Sequence, residues 1–325
     1  WEDDRIAARV DELTGLVDLS HEAATARADE FKLQVPVFTN LDDALAELSP
    51  EIAFDCTIPE AHAATDIRLM EAGCDVLCEK PLAHSLEAAA RVVRTARDTG
   101  RTHAVMQNRR YLPDIQRFHA LLGSGLIGET HTLNADFYIG AHFGGFRAEM
   151  EHVLLLDMAI HTFDAARYLL GSRPRTVTCV EWNPPGSWFA HGAAATATFV
   201  MDDQAVFSYR GNWAAEGLNT SWEAHWRAVA TRGSAQWDGA SAILAERAGS
   251  GETLIRPAEP VAVPMGPVLE HQGHEGCIED FLAAVRAGTR PMTVSGDNIY
   301  SLAMSLAAIE SAEAGKVITI NLEDL

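Results

Sequence analysis

No two cysteines in this sequence of 325 residues stand in a CxxC pair. The five present, Cys56, Cys74, Cys78, Cys179 and Cys277, are odd in number and sit among apolar neighbours. That pattern points to reduced, buried thiols and to a cytoplasmic protein. Long apolar runs are also missing. No stretch approaches the roughly 18 residues of a spanning helix, so no membrane span is expected, and no leader-peptide pattern is visible. Basic side chains are scarce, 25 against 46 acidic ones, for a net charge of −21. Nucleic acid and anionic membranes need a basic face, so neither is expected as a partner. The acid favours solubility; a high-salt setting is a second reading of it.

What is present is ordinary globular composition, 47% hydrophobic and 22% charged. The length suits two domains. In the first third, apolar runs of strand length alternate with helical stretches. Residues 1–10 are compatible with a helix, and Leu13–Val17 reads as a strand closed by Asp18. Ser20 caps a helix to Phe31, Val35–Phe38 is extended, and Asn40 starts a helix over Leu41–Leu48. Ile52–Cys56 is a strand, and Pro59 opens a helix to Glu71, as proline does in a first turn. Then follow a strand at Val76–Cys78, a helix at Ser85–Thr99 and a strand at His103–Gln107. This alternation predicts βαβ units and a parallel sheet of the Rossmann type, with right-handed crossovers.

The second part changes character. After a helix at Pro113–Gly123 comes an alternating run, Thr130–Ile139, and then a helix over residues 151–170 stopped by Gly171. Period-2 segments follow at Thr176–Trp182, Ala193–Met201, Ala205–Trp213, His225–Thr231 and Ala242–Arg247, with Asp202-Asp203 and Arg232-Gly233-Ser234 read as turns. They predict an α+β domain with a large, mainly antiparallel sheet, one face on helices and the other apolar enough for a partner sheet. Glu252–Pro267 reads as extended, Leu269–Ala287 and Gly296–Ala314 as helices, and Val317–Asn321 as a closing strand. The expected division is a dinucleotide-binding domain over 1–110 and a substrate-binding and oligomerisation domain over 111–325.

A Rossmann domain opens on a Gly-x-Gly-x-x-Gly turn, with an acid about 20 residues later at the end of the second strand. If Asp18 is that acid, the turn falls just before Trp1. Three readings follow: a sequence that starts inside a longer chain, a natural start within the fold, or a different register at Asp18. The first is the one expected.

Two clusters can carry chemistry. Cys78-Glu79-Lys80-Pro81-Leu82 puts a lysine at the carboxyl end of a strand, where open α/β sheets bind ligands. Asp157 and His161 are four apart on an expected helix and so share a face. A zinc reading of that pair lacks the three or four ligands required, although Glu151 and His152 nearby leave a metal open; none is expected.

The order Asp18, Thr57-Ile58-Pro59 with His62, Cys78-Glu79-Lys80-Pro81, Asn108-Arg109-Arg110 and Asp157-x-x-x-His161 resembles the Gfo/Idh/MocA oxidoreductases, the family of glucose–fructose oxidoreductase and inositol 2-dehydrogenase. Gly288–Ala303 is similar to that family's closing segment. The resemblance implies a nicotinamide-dependent dehydrogenase acting on a secondary alcohol of a sugar, inositol or related polyol. Lys80, Asp157 and His161 would be catalytic. Lys80 would stabilise the developing alkoxide, and His161 would serve as general base with Asp157 orienting it or binding substrate. Asp18, Thr57, Pro59, His62, Glu79, Lys80, Asn108 and Arg109 would line the cofactor, and a cis bond before Pro81 is compatible. A carboxylate at Asp18 repels a 2′-phosphate, so NAD is preferred, with NADP left open by Ser20 and Arg27. His62 is equally readable as a helix-packing residue.

Tyr111, His142, Phe143, Trp213, Trp222 and Trp226 offer hydrogen bonds and aromatic platforms suited to a sugar; ordinary sheet packing explains the tryptophans equally well. A homodimer or homotetramer through the C-terminal sheet is expected. Two rival functions stand beside the dehydrogenase: an NAD-dependent glycosidase of the same fold, and a non-catalytic sensor or partner-binding protein lacking the cofactor turn.

Overall fold

The structure, a computed structural model, describes residues 13–251 and 253–322. The helix expected over residues 1–10 lies outside them. Two compact units emerge. One comprises the described residues up to Met106 together with His274–Gly296; the other comprises Gln107–Gly273 and the residues from Asp297 onward. The segment His274–Gly296 thus groups with the first unit, away from its neighbours in sequence.

The first unit is built of parallel strands and helices, a Rossmann-type arrangement. Strand β1 (Leu16–Val17) pairs in parallel with β2 (Val37–Phe38). Helix α1 (His21–Glu30) runs between them, its Ser20 cap accepting a bond from the Ala23 amide at 3.2 Å, and α2 (Leu41–Leu48) begins at the Asn40 cap. The second sheet is β3 (Ile52–Asp55), β4 (Asp75–Cys78) and β5 (His103–Val105), parallel and with β4 in the middle. Helices α3 (Pro59–Glu71) and α4 (Leu86–Thr99) join these strands. Cys74, Val76, Leu77 and Cys78 are fully buried, as a strand covered on both faces requires. The Val105 amide donates to Thr293 O at 3.0 Å, so the segment before residue 296 lies along the β5 edge.

The second unit begins with a 3₁₀ turn, Asn108–Tyr111, and α5 (Pro113–Gly123). Its nine-stranded sheet contains β6 (Thr130–Tyr138), β7 (Pro174–Trp182), β8 (Ala194–Met201), β9 (Val206–Asn212), β10 (His225–Ala230), β11 (Gly233–Trp237), β12 (Ile243–Ala248), β13 (Ala258–Pro260) and β14 (Ile318–Thr319), ordered 13-12-11-10-6-9-8-7-14. The expected alternation is present, one face buried and the other open. The sheet is mixed, because β6 and β9 pair in parallel.

Two local readings need correction. Residues 233 and 234, read as a turn, open β11; a Cβ on Gly233 would lie 2.2 Å from Glu246 O, so glycine is what lets β12 approach there. Residues 151–170 are not one α-helix: His152 has φ 52°, Leu154–Met158 form a π-helical turn, and α7 (Ala159–Leu170) follows. A short helix, α6 (Phe146–Glu149), interrupts a stretch without periodicity. Helices α8 (Gly273–Ala287) and α9 (Ser295–Ala314) complete the chain. The core of the second unit is an aromatic file, with Phe163 against Phe199, Phe207 and Tyr209, and Trp226 stacked on Phe207 and Trp237.

Candidate active site

In the first unit the Glu79-Lys80-Pro81 turn follows the middle strand and is tied on both sides. The Glu79 amide donates to Asp55 O at 2.8 Å, and the Met106 amide donates to Cys78 O at 2.8 Å. The Lys80–Pro81 peptide is cis, and the Lys80 amide donates to Glu79 Oε2 at 3.1 Å. His62, fully buried on α3, sets Nδ1 2.7 Å from Pro81 O and Nε2 2.9 Å from Thr57 O. A neutral imidazole can donate to only one of the two. His62 therefore spans the turns after β3 and β4, and both its nitrogens face backbone carbonyls.

Beneath this turn lies a buried polar group. The donor atoms of Asp55, His62 and Cys78 lie within 4.8 Å of one another, as do those of Asp66, Cys78 and His103. His103 Nε2 is 2.9 Å from Asp66 Oδ2. Burial, reinforced by Asp66, pushes the Asp55 carboxyl up to about 6 against the Thr57 amide bond that favours its charge. Burial likewise holds the Cys78 thiol well above its ordinary value. The donor types suit a metal, but His62 faces carbonyls and His103 Nε2 is engaged by Asp66, so the group serves as a hydrogen-bonded support for the lysine turn.

The carboxyl ends of these strands suit a nucleotide. Asp18 follows β1 and its Oδ1 accepts the Ser20 amide at 2.7 Å, which orients the carboxylate. Val17 and Leu19, at and after the end of β1, and Ile58, after β3, are 44%, 98% and 65% exposed. Pro59 occupies the first turn of α3.

In the second unit Asp157 lies in the π-helical turn and His161 in the first turn of α7. π-Turns inside helices are frequent at functional sites. Arg147 of α6 donates from Nε to Asp157 Oδ2 at 2.6 Å. Its guanidinium lies over the rings of Phe143 and Phe146, at 5.2 and 4.7 Å. Phe143 in turn meets Trp213 at 5.5 Å and Trp222 at 6.0 Å. Asp157 is thus joined, through Arg147, to an aromatic patch whose outer members, Phe143, Phe146 and Trp222, are exposed. His142 is exposed too, stacked on Trp188 at 3.6 Å with Nε2 2.8 Å from Glu216 Oε1.

Other expected site residues are interior. Tyr111, Trp213 and Trp226 are buried. Arg109 is buried with Nε 3.1 Å from Glu223 Oε2; burial lowers the arginine and raises the glutamate from their ordinary values. Asn108 opens the 3₁₀ turn. Arg147, Glu223 and Asp55 escaped sequence reasoning, since each takes its meaning from a partner elsewhere in the chain.

A family model described as "Oxidoreductase family, NAD-binding Rossmann fold" matches residues 3–107, and the C-terminal domain of the same family matches residues 115–236. The 1,5-anhydro-D-fructose reductase of Ensifer adhaerens is 23% identical over 98% of this chain and 94% of its own. Inositol 2-dehydrogenase of Rhizobium meliloti (strain 1021) is 24% identical, over 95% and 91% respectively. A crystal structure of an oxidoreductase from Agrobacterium radiobacter, in complex with NAD+, L-tartaric acid and magnesium, superposes with a TM-score of 0.81 at 23% identity, over 94% of this chain and 90% of that one. With both domain models matched over more than half its length, this chain belongs to the Gfo/Idh/MocA family of oxidoreductases and carries that family's NAD-binding Rossmann domain.

Proposed function

We propose that this protein transfers a hydride between NAD and a secondary alcohol of a sugar, inositol or related polyol. The observation that carries the reading is Lys80 at the carboxyl end of the middle strand of a parallel sheet, held there by bonds from β3, β5 and His62. The names of the relatives support the substrate class. NAD supplies the hydride acceptor. Every other part falls to side chains of this chain.

In this reading His161 accepts the hydroxyl proton and Lys80 stabilises the alkoxide as the hydride leaves. Asp157, steadied by Arg147, orients His161 or a substrate hydroxyl. Asp18 bonds the adenosine ribose and disfavours a 2′-phosphate. Thr57, Pro59 and Glu79 line the nucleotide, and Asn108 stands near the nicotinamide. His142 and Trp222 offer exposed ring surface to the sugar, while Trp213 and Tyr111 are buried. His62 and Arg109 act as positioning residues, their polar atoms facing protein partners. A second copy of the chain covers the open face of the large sheet.

Steady-state kinetics over a polyol and sugar panel, with calorimetry for NAD, test this. Lys80→Met and His161→Gln should each lower kcat/KM by roughly 10²–10⁴-fold, the range of general acid–base and oxyanion losses, and His161→Gln should leave NAD affinity nearly unchanged. Full turnover by Lys80→Met on a confirmed substrate would remove the lysine from the chemistry. NAD binding with no NADH formed on any member of the panel would count against the substrate class.

A further inference from the structure

Among the described residues four phenylalanine or tryptophan side chains are exposed: Phe143, Phe146, Trp182 and Trp222. Trp182 lies on the open face of the large sheet. The other three share one patch of the second unit. The Phe143 and Trp222 rings are 6.0 Å apart, and Phe143 and Phe146 both lie against the Arg147 guanidinium, at 5.2 and 4.7 Å. Phe143, Phe146 and Trp222 are 50%, 68% and 45% exposed. Aromatic rings left in water side by side mark a surface that takes a ligand.

The segment that carries the two phenylalanines is held in place. Trp188 Nε1 donates to Ala141 O at 2.8 Å, and the Ala190 amide donates to Ala148 O at 2.8 Å. Between these ties Gly144 and Gly145 have φ 63° and 60°, so the chain turns back at its tip and both flanking phenylalanines reach the same guanidinium. Arg147 also donates from Nε to Asp157 Oδ2 at 2.6 Å, which sets the patch one guanidinium away from Asp157. The two basic side chains of the segment are both engaged, Arg147 by Asp157 and His142 by Glu216 at 2.8 Å, and Glu149 and Glu151 follow in the chain. A phosphate or carboxylate on the ligand would therefore meet paired cations and further acid. An uncharged ring meets aromatic faces that suit it.

We propose that the substrate is a neutral glycoside whose second ring lies on Phe143, Phe146 and Trp222. This rests on the hydride-transfer reading, which puts the reacting ring at Asp157 and His161. A free sugar or inositol has one ring to offer, and that ring is spent there. A glycosidic oxygen carries a second ring onto the patch, where its apolar face stacks on the aromatic side chains and any hydroxyls at its edge stay in water. The glycosidic bond stays intact. The carbon that loses hydride to NAD belongs to the ring at Asp157.

The test uses the full chain with NAD and follows NADH on matched compounds: cellobiose, maltose and phenyl glucosides against glucose, phenyl galactosides against galactose, and glucose 6-phosphate as the charged control. A kcat/KM roughly tenfold higher on a glycoside than on its parent sugar is expected, on the scale of added aromatic contacts. The disaccharide and phenyl arms tell a sugar from an aryl second ring. Phe146→Ala and Trp222→Ala should each lower that ratio several-fold, through KM on the glycoside, and Phe146→Tyr should keep it. Phe146 is exposed, so its truncation spares the core. NADH formed equally well from every glycoside and its parent sugar, a preference for the phosphate, or a ratio untouched by both alanine variants overturns the proposal and leaves the hydride-transfer reading standing. NADH from no compound counts against that reading. Calorimetry with the same compounds then decides the platform, which fails if no glycoside binds more tightly than its parent sugar and holds if one does and Phe146→Ala removes the difference. An oligomer that Phe146→Ala dissociates in light scattering overturns the proposal by giving the patch to a second copy.

Discussion

Asp55 shows how a single buried acid can work against the fold that holds it. Its carboxyl is pushed up to about 6 by burial and by Asp66, above an ordinary value of 3.8. The native state therefore binds that proton more tightly than the unfolded chain, and this contribution to stability falls as pH rises from about 4 to about 6. Above that window the ionised side chain costs about 3 kcal/mol, at 1.36 kcal/mol per pKa unit. Asp55→Asn retains an oxygen for the Thr57 amide. Its urea midpoint should exceed that of the parent at pH 7 and match it near pH 4. A parent that gains stability across that window would contradict the sign. Asp55 was legible only as the end of a strand. Lys80, Asp157 and His161 stood out in the sequence because short motifs surround them, whereas Arg147 lies in a stretch with no motif and gains a role only from its 2.6 Å bond to Asp157.

Ion pairs between elements brace the second unit. Arg110, in the 3₁₀ turn, makes two 2.7 Å bonds to Asp164 of α7 and one of 3.1 Å to Asp297 of α9. Arg167 bonds Asp297 at 2.7 Å and Ser301 at 2.9 Å, and Ser301 donates to Asp164 at 2.8 Å. Removing one member of a buried pair strands the other charge. Asp164→Ala should therefore cost roughly 3–5 kcal/mol in chemical denaturation, while Asp114→Ala, whose partner Arg117 is partly exposed, should cost less than about 1 kcal/mol. Equal losses would mean the network is no stronger than a surface pair. Most helices and strands here were readable from periodicity and caps. The elements that were missed or misassigned are of another kind: β11 starts with Gly-Ser-Ala, which carries no strand signal, and the π-turn replaces α-helix without changing the apolar pattern.

The two faces of the large sheet differ across the whole molecule. The covered face holds the aromatic file; the open face carries Val180 and Trp182 of β7 and Leu244 of β12, all exposed. If a second copy covers that face, Val180→Glu with Trp182→Lys should turn an oligomer into a monomer in light scattering at micromolar concentration, with circular dichroism unchanged. A parent chain that is already monomeric would remove the sheet as an assembly surface. Among the described residues no helix is long and apolar enough to cross a membrane.

Order along the chain was enough to read alternating strands and helices, the lysine turn, the Asp157–His161 spacing and the family they resemble. These signals repeat over two to four residues or sit in one short motif, so neighbours in sequence carry them. Folding alone joined His62 to Pro81, Arg147 to Asp157, Arg110 to Asp297 and Glu181 to His152. It also set β6 beside β9 and returned residues 274–296 to the first unit. Such pairings span from ten to nearly two hundred residues. Their energies depend on distance and burial in the folded chain, and one-dimensional spacing encodes neither.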